Sequence, residues 1–177
     1  MWFVVHVRPG TEIQAVELLK AAPKSDGLDE VFCPMAVYRY QKDGENLELI
    51  KPVFDGCVFV VAPSKWELRA CMKRADGIEA ICDKRPAYDA LEDGEEVFID
   101  QITEPEERIV PASEAVVDKN GRLTVQTGPL HGRENEIRKH SERRRWAYLN
   151  TCIAGETANA RLGLRVTRND SLHPWER

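Results

Sequence analysis

The feature that most constrains this chain is a change of pattern part-way along it. Up to about residue 103, apolar residues twice recur at helical spacing, each time after a β-type run. From residue 116 onward helical spacing is absent and only short β-type runs remain. Between them lies Glu104–Glu114, EPEERIVPASE, with two prolines and Glu104, Glu106, Glu107 and Glu114. Such a stretch predicts a linker. The organisation expected is a domain at 1–103, a linker at 104–115, a second domain at 116–169 and a frayed tail at 170–177.

In the first part, Trp2–Val7 is β-branched and aromatic and predicts a buried strand. Thr11-Glu12-Ile13-Gln14 fits a capping box, and Ala15, Leu18, Leu19 and Ala22 trace one helical face that Pro23 ends. Val31–Tyr40 and Asn46–Phe54 predict a hairpin about Asp43-Gly44. Cys57–Val61 is an apolar run with both faces buried. Ser64-Lys65-Trp66-Glu67 is a second capping box, followed by Leu68, Cys71, Met72 and Ala75, with Gly77 as the stop. Ile78–Cys82 predicts a short strand, and Asp93 or Glu96 caps a third helix carrying Val97, Phe98 and Ile102. The fold class is α+β: an antiparallel sheet of about four strands with flanking helices. In the second part, residues 122–127, 136–139, 146–152, 157–162 and 164–167 predict five short strands, enough for a small all-β barrel.

Several functions are disfavoured at this point. No apolar run nears the roughly 20 residues that cross a bilayer, and Met1-Trp2-Phe3-Val4-Val5-His6 lacks a basic n-region. Five scattered cysteines without a C-x-x-C pair predict reduced thiols in a cytoplasmic protein, and neither they nor the four histidines supply zinc spacing. No nucleophile elbow, P-loop, G-x-G-x-x-G or H-E-x-x-H occurs, and Glu95 and Glu96 sit in a solvated run. The expectation is a non-enzymatic monomer without metal, cofactor or membrane. Charge is uneven. Residues 1–115 hold 13 Lys and Arg against 23 Asp and Glu, a net −10, whereas 116–177 hold 12 against 7, a net +5. The basic half is the candidate for nucleic acid.

Two segments carry a family resemblance. Phe54-Asp55-Gly56-Cys57-Val58-Phe59-Val60 resembles the F-P-G-Y-V-F-V signature of the NusG N-terminal domain, placed after Trp2-Phe3-Val4-Val5 and Pro9-Gly10-Thr11-Glu12 as in that family. Gly128-Pro129-Leu130-His131-Gly132-Arg133-Glu134-Asn135-Glu136-Ile137 resembles the KOW motif that opens the family's C-terminal SH3-like barrel, and is similar to the LoaP branch of specialised paralogs. The resemblance implies a transcription elongation and antitermination factor that binds the clamp helices of bacterial RNA polymerase through Phe54, Cys57 and Phe59. It also implies a KOW partner: RNA, ribosomal protein S10 or the termination factor Rho. Ile153-Ala154-Gly155-Glu156 stands where the housekeeping factor has I-F-G-R, and the missing Phe and Arg count against S10 and Rho. A general housekeeping NusG and a KOW-type ribosome-assembly protein are the alternatives.

The remaining candidates are basic. Arg138-Lys139-His140-Ser141-Glu142-Arg143-Arg144-Arg145-Trp146 joins forks for phosphate to a stacking ring, and His131 and Arg133 of the KOW loop extend it toward an RNA hairpin. A solvated hairpin tip is the competing explanation. Arg8, Thr11 and Gln14 at the first helix, with Lys73 and Arg74 after the second, are candidates for DNA contact by resemblance, against the domain's negative charge.

Overall fold

A computed structural model describes residues 1–23, 27–83, 87–104 and 106–168; the tail expected at 170–177 lies outside them. Strands β1 (Trp2–His6), β2 (Glu30–Phe32), β5 (Cys57–Val61) and β6 (Tyr88–Ala90) form an antiparallel sheet in the order β2-β5-β1-β6, with Val4 opposite Phe59. Strand alternation sorts its side chains into two cores. Phe3, Val5, Val58 and Val60 face helices α1 (Glu12–Ala21), α2 (Lys65–Met72) and α3 (Ile78–Ile81), meeting Ala15, Leu19, Leu68 and Ile78. Val4, Phe32 and Phe59 face the opposite way into a second core.

Several local expectations fail. Val31–Tyr40 is not one strand, since β2 ends at Phe32 and the next strand starts at Met35 in another sheet. Gly77 is not the stop of α2, which ends at Met72 with Lys73 as its cap. Ile78–Cys82 is not a strand: Gly77, at φ 86°, turns the chain into α3, which buries Ile78 and Ile81 one turn apart. The capping box at Thr11 does not form. Its hydroxyl donates to Arg8 O (2.7 Å), and the buried Glu12 carboxylate accepts from Gly10 N (2.8 Å) and Gly56 N (2.7 Å). Glu12 thus ties the helix entry to the turn before β5. At Ser64 the expected cap is present, its Oγ accepting from Trp66 N at 3.1 Å.

The predicted hairpin is β3 (Met35–Lys42) with β4 (Glu45–Pro52), turning on Asp43 (φ 53°) and Gly44 (φ 84°), the positive pair that a two-residue I′ turn needs. It stands apart from the four-stranded sheet, and β7 (Ile109–Val110), inside the segment read as a linker, pairs parallel with β3. Helix α4 (Glu95–Ile102) precedes β7. Arg108 anchors this crossing. Its guanidinium forms a fork with Glu30 (2.7 and 2.6 Å), reaches Asp100 (2.6 Å) and lies 4.3 Å from the Phe32 ring centroid. Chiefly through the Glu30 bond, and against its burial, it is held above its ordinary pKa.

Strands β8 (Ser113–Val117), β9 (Leu123–Thr127), β10 (Ile137–Ser141), β11 (Trp146–Ile153) and β12 (Glu156–Arg168) make one sheet, ordered β10-β11-β12-β8-β9. The closed barrel expected from the sequence is not seen. Among the described residues, edges β9 and β10 do not pair; residues 128–136 and a 3-10 turn at Glu134–Glu136 intervene, and Glu134 takes Val125 N at 3.1 Å. The strands expected at 157–162 and 164–167 are one, β12, because Gly163 does not break it. Gly163 instead permits close approach: a Cβ there would lie 2.0 Å from Val37 O on β3.

That approach joins the two halves of the chain. The second core runs from Phe32, Phe54, Phe59 and Ile99 into Leu130, Leu149, Leu162 and Leu164. Arg161 N donates to Val53 O (2.9 Å), Tyr38 Oη to Arg161 O (3.1 Å), and Arg161 pairs with Asp55 (2.8 Å).

Candidate functional site

The motif strand comes first. Gly56 (φ 75°) must be glycine, since a Cβ would meet Val7 O at 2.6 Å. Its flanking aromatics are interior: Phe54 is 2% and Phe59 0% exposed, with ring centroids 5.7 Å apart, and Phe59 stacks on Phe32 at 5.8 Å. Cys57 is half-buried. The sheet face that the resemblance assigns to the clamp helices is covered in this arrangement, and its core is continuous with the C-terminal half.

The loop after β11 is also engaged. The Glu95 carboxylate at the start of α4 accepts from Ala154 N (2.6 Å) and Gly155 N (2.9 Å). Arg133, grouped in sequence with the basic run, turns to the same helix, bonding Gln101 and Glu136 and lying 5.4 Å from the Phe98 ring centroid. His131 is exposed.

The basic run itself divides. Arg138 reaches Asn150 Oδ1 (3.5 Å), Lys139 is exposed, and His140 lines a separate cleft with Arg122 and Glu134. Arg143, Arg144, Arg145 and Trp146 instead enclose a cleft of about 400 Å³ together with Arg161 and, from the β3–β4 hairpin, Tyr38, Tyr40, Leu49 and Lys51. Arg145 takes φ 58° in the turn, and Ser141 Oγ accepts from Arg144 N at 3.2 Å. The one carboxylate of the turn, Glu142, is held by Arg168 at 3.0 and 3.3 Å. Burial pushes the Tyr38 phenol up to about 12. Sequence reasoning found the arginines and Trp146 but missed Tyr38, Tyr40, Lys51 and Arg161, which come from strands remote in sequence. The Tyr38-Arg39-Tyr40 alternation on β3 is a signal that could have pointed to the hairpin wall; nothing in sequence marks Arg161 on β12.

On the other side of the N-terminal half, Arg8 and Gln14 are exposed and Thr11 is tied to Arg8. Lys73 and Arg74 line a shallow cleft with Arg69 and Trp66, the latter 73% exposed and 5.9 Å from the Arg69 guanidinium. Neither Trp66 nor Arg69 had been singled out. Among the described residues no group of His, Cys, Asp and Glu could hold a metal ion, and no helix is long and apolar enough to cross a membrane.

A family model described as transcription termination factor nusG matches residues 1–97, from β1 into the first turn of α4. The chain belongs to the NusG family. No curated protein matches it. NusG-family proteins are non-enzymatic transcription factors that bind RNA polymerase. The matched NusG portion contains the motif strand, both helix-edge candidates and the β3–β4 side of the cleft, whereas the arginine turn lies beyond the match.

Proposed function

We propose that this chain is a specialised transcription elongation and antitermination factor, resembling the LoaP branch, that pairs polymerase binding by residues 1–103 with RNA binding by the KOW-like half. The observation that carries this reading is the cleft at Arg143–Trp146, where cations and aromatic rings converge in a member of a polymerase-binding family. Arginine forks take phosphate, and flat rings take unpaired bases. RNA is favoured over S10 or Rho for the second half because the Ile153–Glu156 loop lacks the housekeeping Phe and Arg and its amides are occupied by Glu95.

The polymerase contact assigned to Phe54, Cys57 and Phe59 needs a rearrangement. Both rings are interior, so clamp helices reach them only after the C-terminal half lifts from β3 and α4. The domain division at 104–115 is part of the same reading, with Arg108 as the fixed point about which the halves part. The test is a titration of the full chain against purified RNA polymerase and against a leader RNA hairpin. The reading expects both to bind, with Arg143→Ala/Arg144→Ala/Arg145→Ala losing RNA and keeping polymerase. RNA affinity unchanged in that variant would defeat the RNA assignment, and no polymerase binding by wild type would defeat the elongation-factor assignment.

A further inference from the structure

We propose that the cleft between the β3–β4 hairpin and the 142–145 turn is a pocket for a single unpaired nucleotide, its base against Trp146 and Tyr40 and its flanking phosphates on Arg143, Arg144 and Lys51. This rests on the reading that the KOW-like half binds nucleic acid, and it adds that the N-terminal half supplies one wall.

Size, charge and ring placement support it together. A volume of about 400 Å³ falls within the span of roughly 300–1,000 Å³ usual for small-ligand pockets, and is too confined for a duplex. Five cations line it and no carboxylate does. Asp55 pairs with Arg161 (2.8 Å), one of the five, while Glu142, next to Arg143 in the chain, pairs with Arg168 (3.0 Å) and Glu48, next to Leu49, pairs with Arg39 (2.9 Å). Lys51, Arg143, Arg144 and Arg145 therefore leave the lining with net positive charge in a concave site, where field is focused. Arg161 Nε is buried without a hydrogen-bond partner in the described structure.

The rings complete the argument. Trp146 is braced by Tyr148, centroids 4.3 Å apart, so its plane is preorganised. Tyr40 is 37% exposed on the facing strand. An acidic peptide would use the cations and leave the rings idle; a paired base has its faces already stacked. An unpaired nucleotide uses both, because every base has a π-face and a charged backbone on either side.

Because the walls come from both halves, the pocket exists only when they are docked. A ligand bound there stabilises the docked arrangement, and by linkage whatever separates the halves weakens the ligand.

The test uses the full chain and dye-labelled decamers of uridine, of deoxythymidine and of a self-complementary duplex, read by fluorescence anisotropy over a salt series. Tyr40→Ala and Lys51→Ala sit on an exposed hairpin face, and circular dichroism confirms their fold. Tyr40→Ala should weaken uridine decamer binding about tenfold with the salt slope unchanged, as loss of a stacked base does. Lys51→Ala should weaken it and reduce the slope by roughly 0.7, one phosphate contact on a single strand. Duplex affinity should change less than twofold in both. Equal loss for the deoxythymidine decamer supports the pocket and makes it indifferent to the sugar; loss for uridine alone supports it as an RNA pocket. If neither variant alters single-strand binding while Arg143→Ala/Arg144→Ala does, the shared pocket is overturned and the RNA reading of the C-terminal half survives. If wild type binds neither single strand but binds the leader hairpin, the pocket is overturned and the RNA reading survives; if it binds the hairpin no better, both fall.

Discussion

Replacing Gly163 by alanine adds one methyl group at the point where β12 meets β3. The new Cβ would stand 2.0 Å from Val37 O, 3.1 Å from Val37 C and 3.2 Å from the Ala112 Cβ. Neither wall is a flexible side-chain end, so the strands must separate by more than an ångström. Overpacking of this kind costs about 1–3 kcal/mol. Two junction hydrogen bonds, Arg161 N to Val53 O and Tyr38 Oη to Arg161 O, lie two residues away and stretch with it, at about 1 kcal/mol each. Alanine returns roughly 0.5–1 kcal/mol by restricting the unfolded chain. Gly163 has no positive φ, so backbone strain does not enter. The net expectation is a junction weakened by about 2–4 kcal/mol. Urea denaturation of the full chain should show an earlier transition that separates from the main one, and limited proteolysis should cut faster within residues 104–112. An unchanged midpoint with unchanged protection of that segment would refute the assignment of Gly163 as a close-approach residue.

Two further outcomes are expected. Arg108→Met leaves Glu30 and Asp100 facing each other without their cation; a wholly buried pair broken this way costs about 3–5 kcal/mol, and the half-exposed Asp100 lowers the expectation to about 2–4, read as a drop in urea midpoint that Arg108→Lys does not restore because it lacks the fork. Tyr38 titrates at about 12 in the fold against about 10 in an unfolded chain, so its contribution is complete below pH 10 and is lost as pH rises through 12; absorbance at the phenolate band should show one late-titrating tyrosine, and Tyr38→Phe should remove that step of alkaline destabilisation.

What the sequence made legible was local. The Asp43-Gly44 hairpin, the Ser64 cap and the alternation of β5 all depend on nearest neighbours, and all are present. Ile78–Ile81 misled because four residues cannot display a period, and Gly77, read as a helix stop, starts α3 instead, α2 having ended at Met72. Gly163 read as a strand boundary when its lack of a side chain serves a strand from the other half. A count of five C-terminal strands came out right through two offsetting errors: β12 was divided, and β8 was hidden in the segment taken for a linker. The site was half legible. Consecutive arginines announce themselves, but Arg133 and His140 leave the group because the loop that carries the first folds onto α4 and the second faces another cleft. Phe54 and Phe59 illustrate the reverse. Alternation shows that a strand has a second face, and says nothing of what lies on it. Because both are interior, truncating either would cost about 3–5 kcal/mol of stability before any binding effect could be read.

The parallel pairing of β8 with β12 has a consequence in time. Leu164 lies opposite Ser113, so β8 leaves the ribosome 51 residues ahead of the strand that covers one of its edges. At about 5–20 residues per second, that edge stays open for roughly 3–10 s. Only β9, the hairpin neighbour on its other side, is at hand meanwhile. An uncovered strand edge is a template for any passing chain. At β8, synthesis slowed by rare codons would be felt as misassembly of nascent chains and not as a loss of stability once folding is complete.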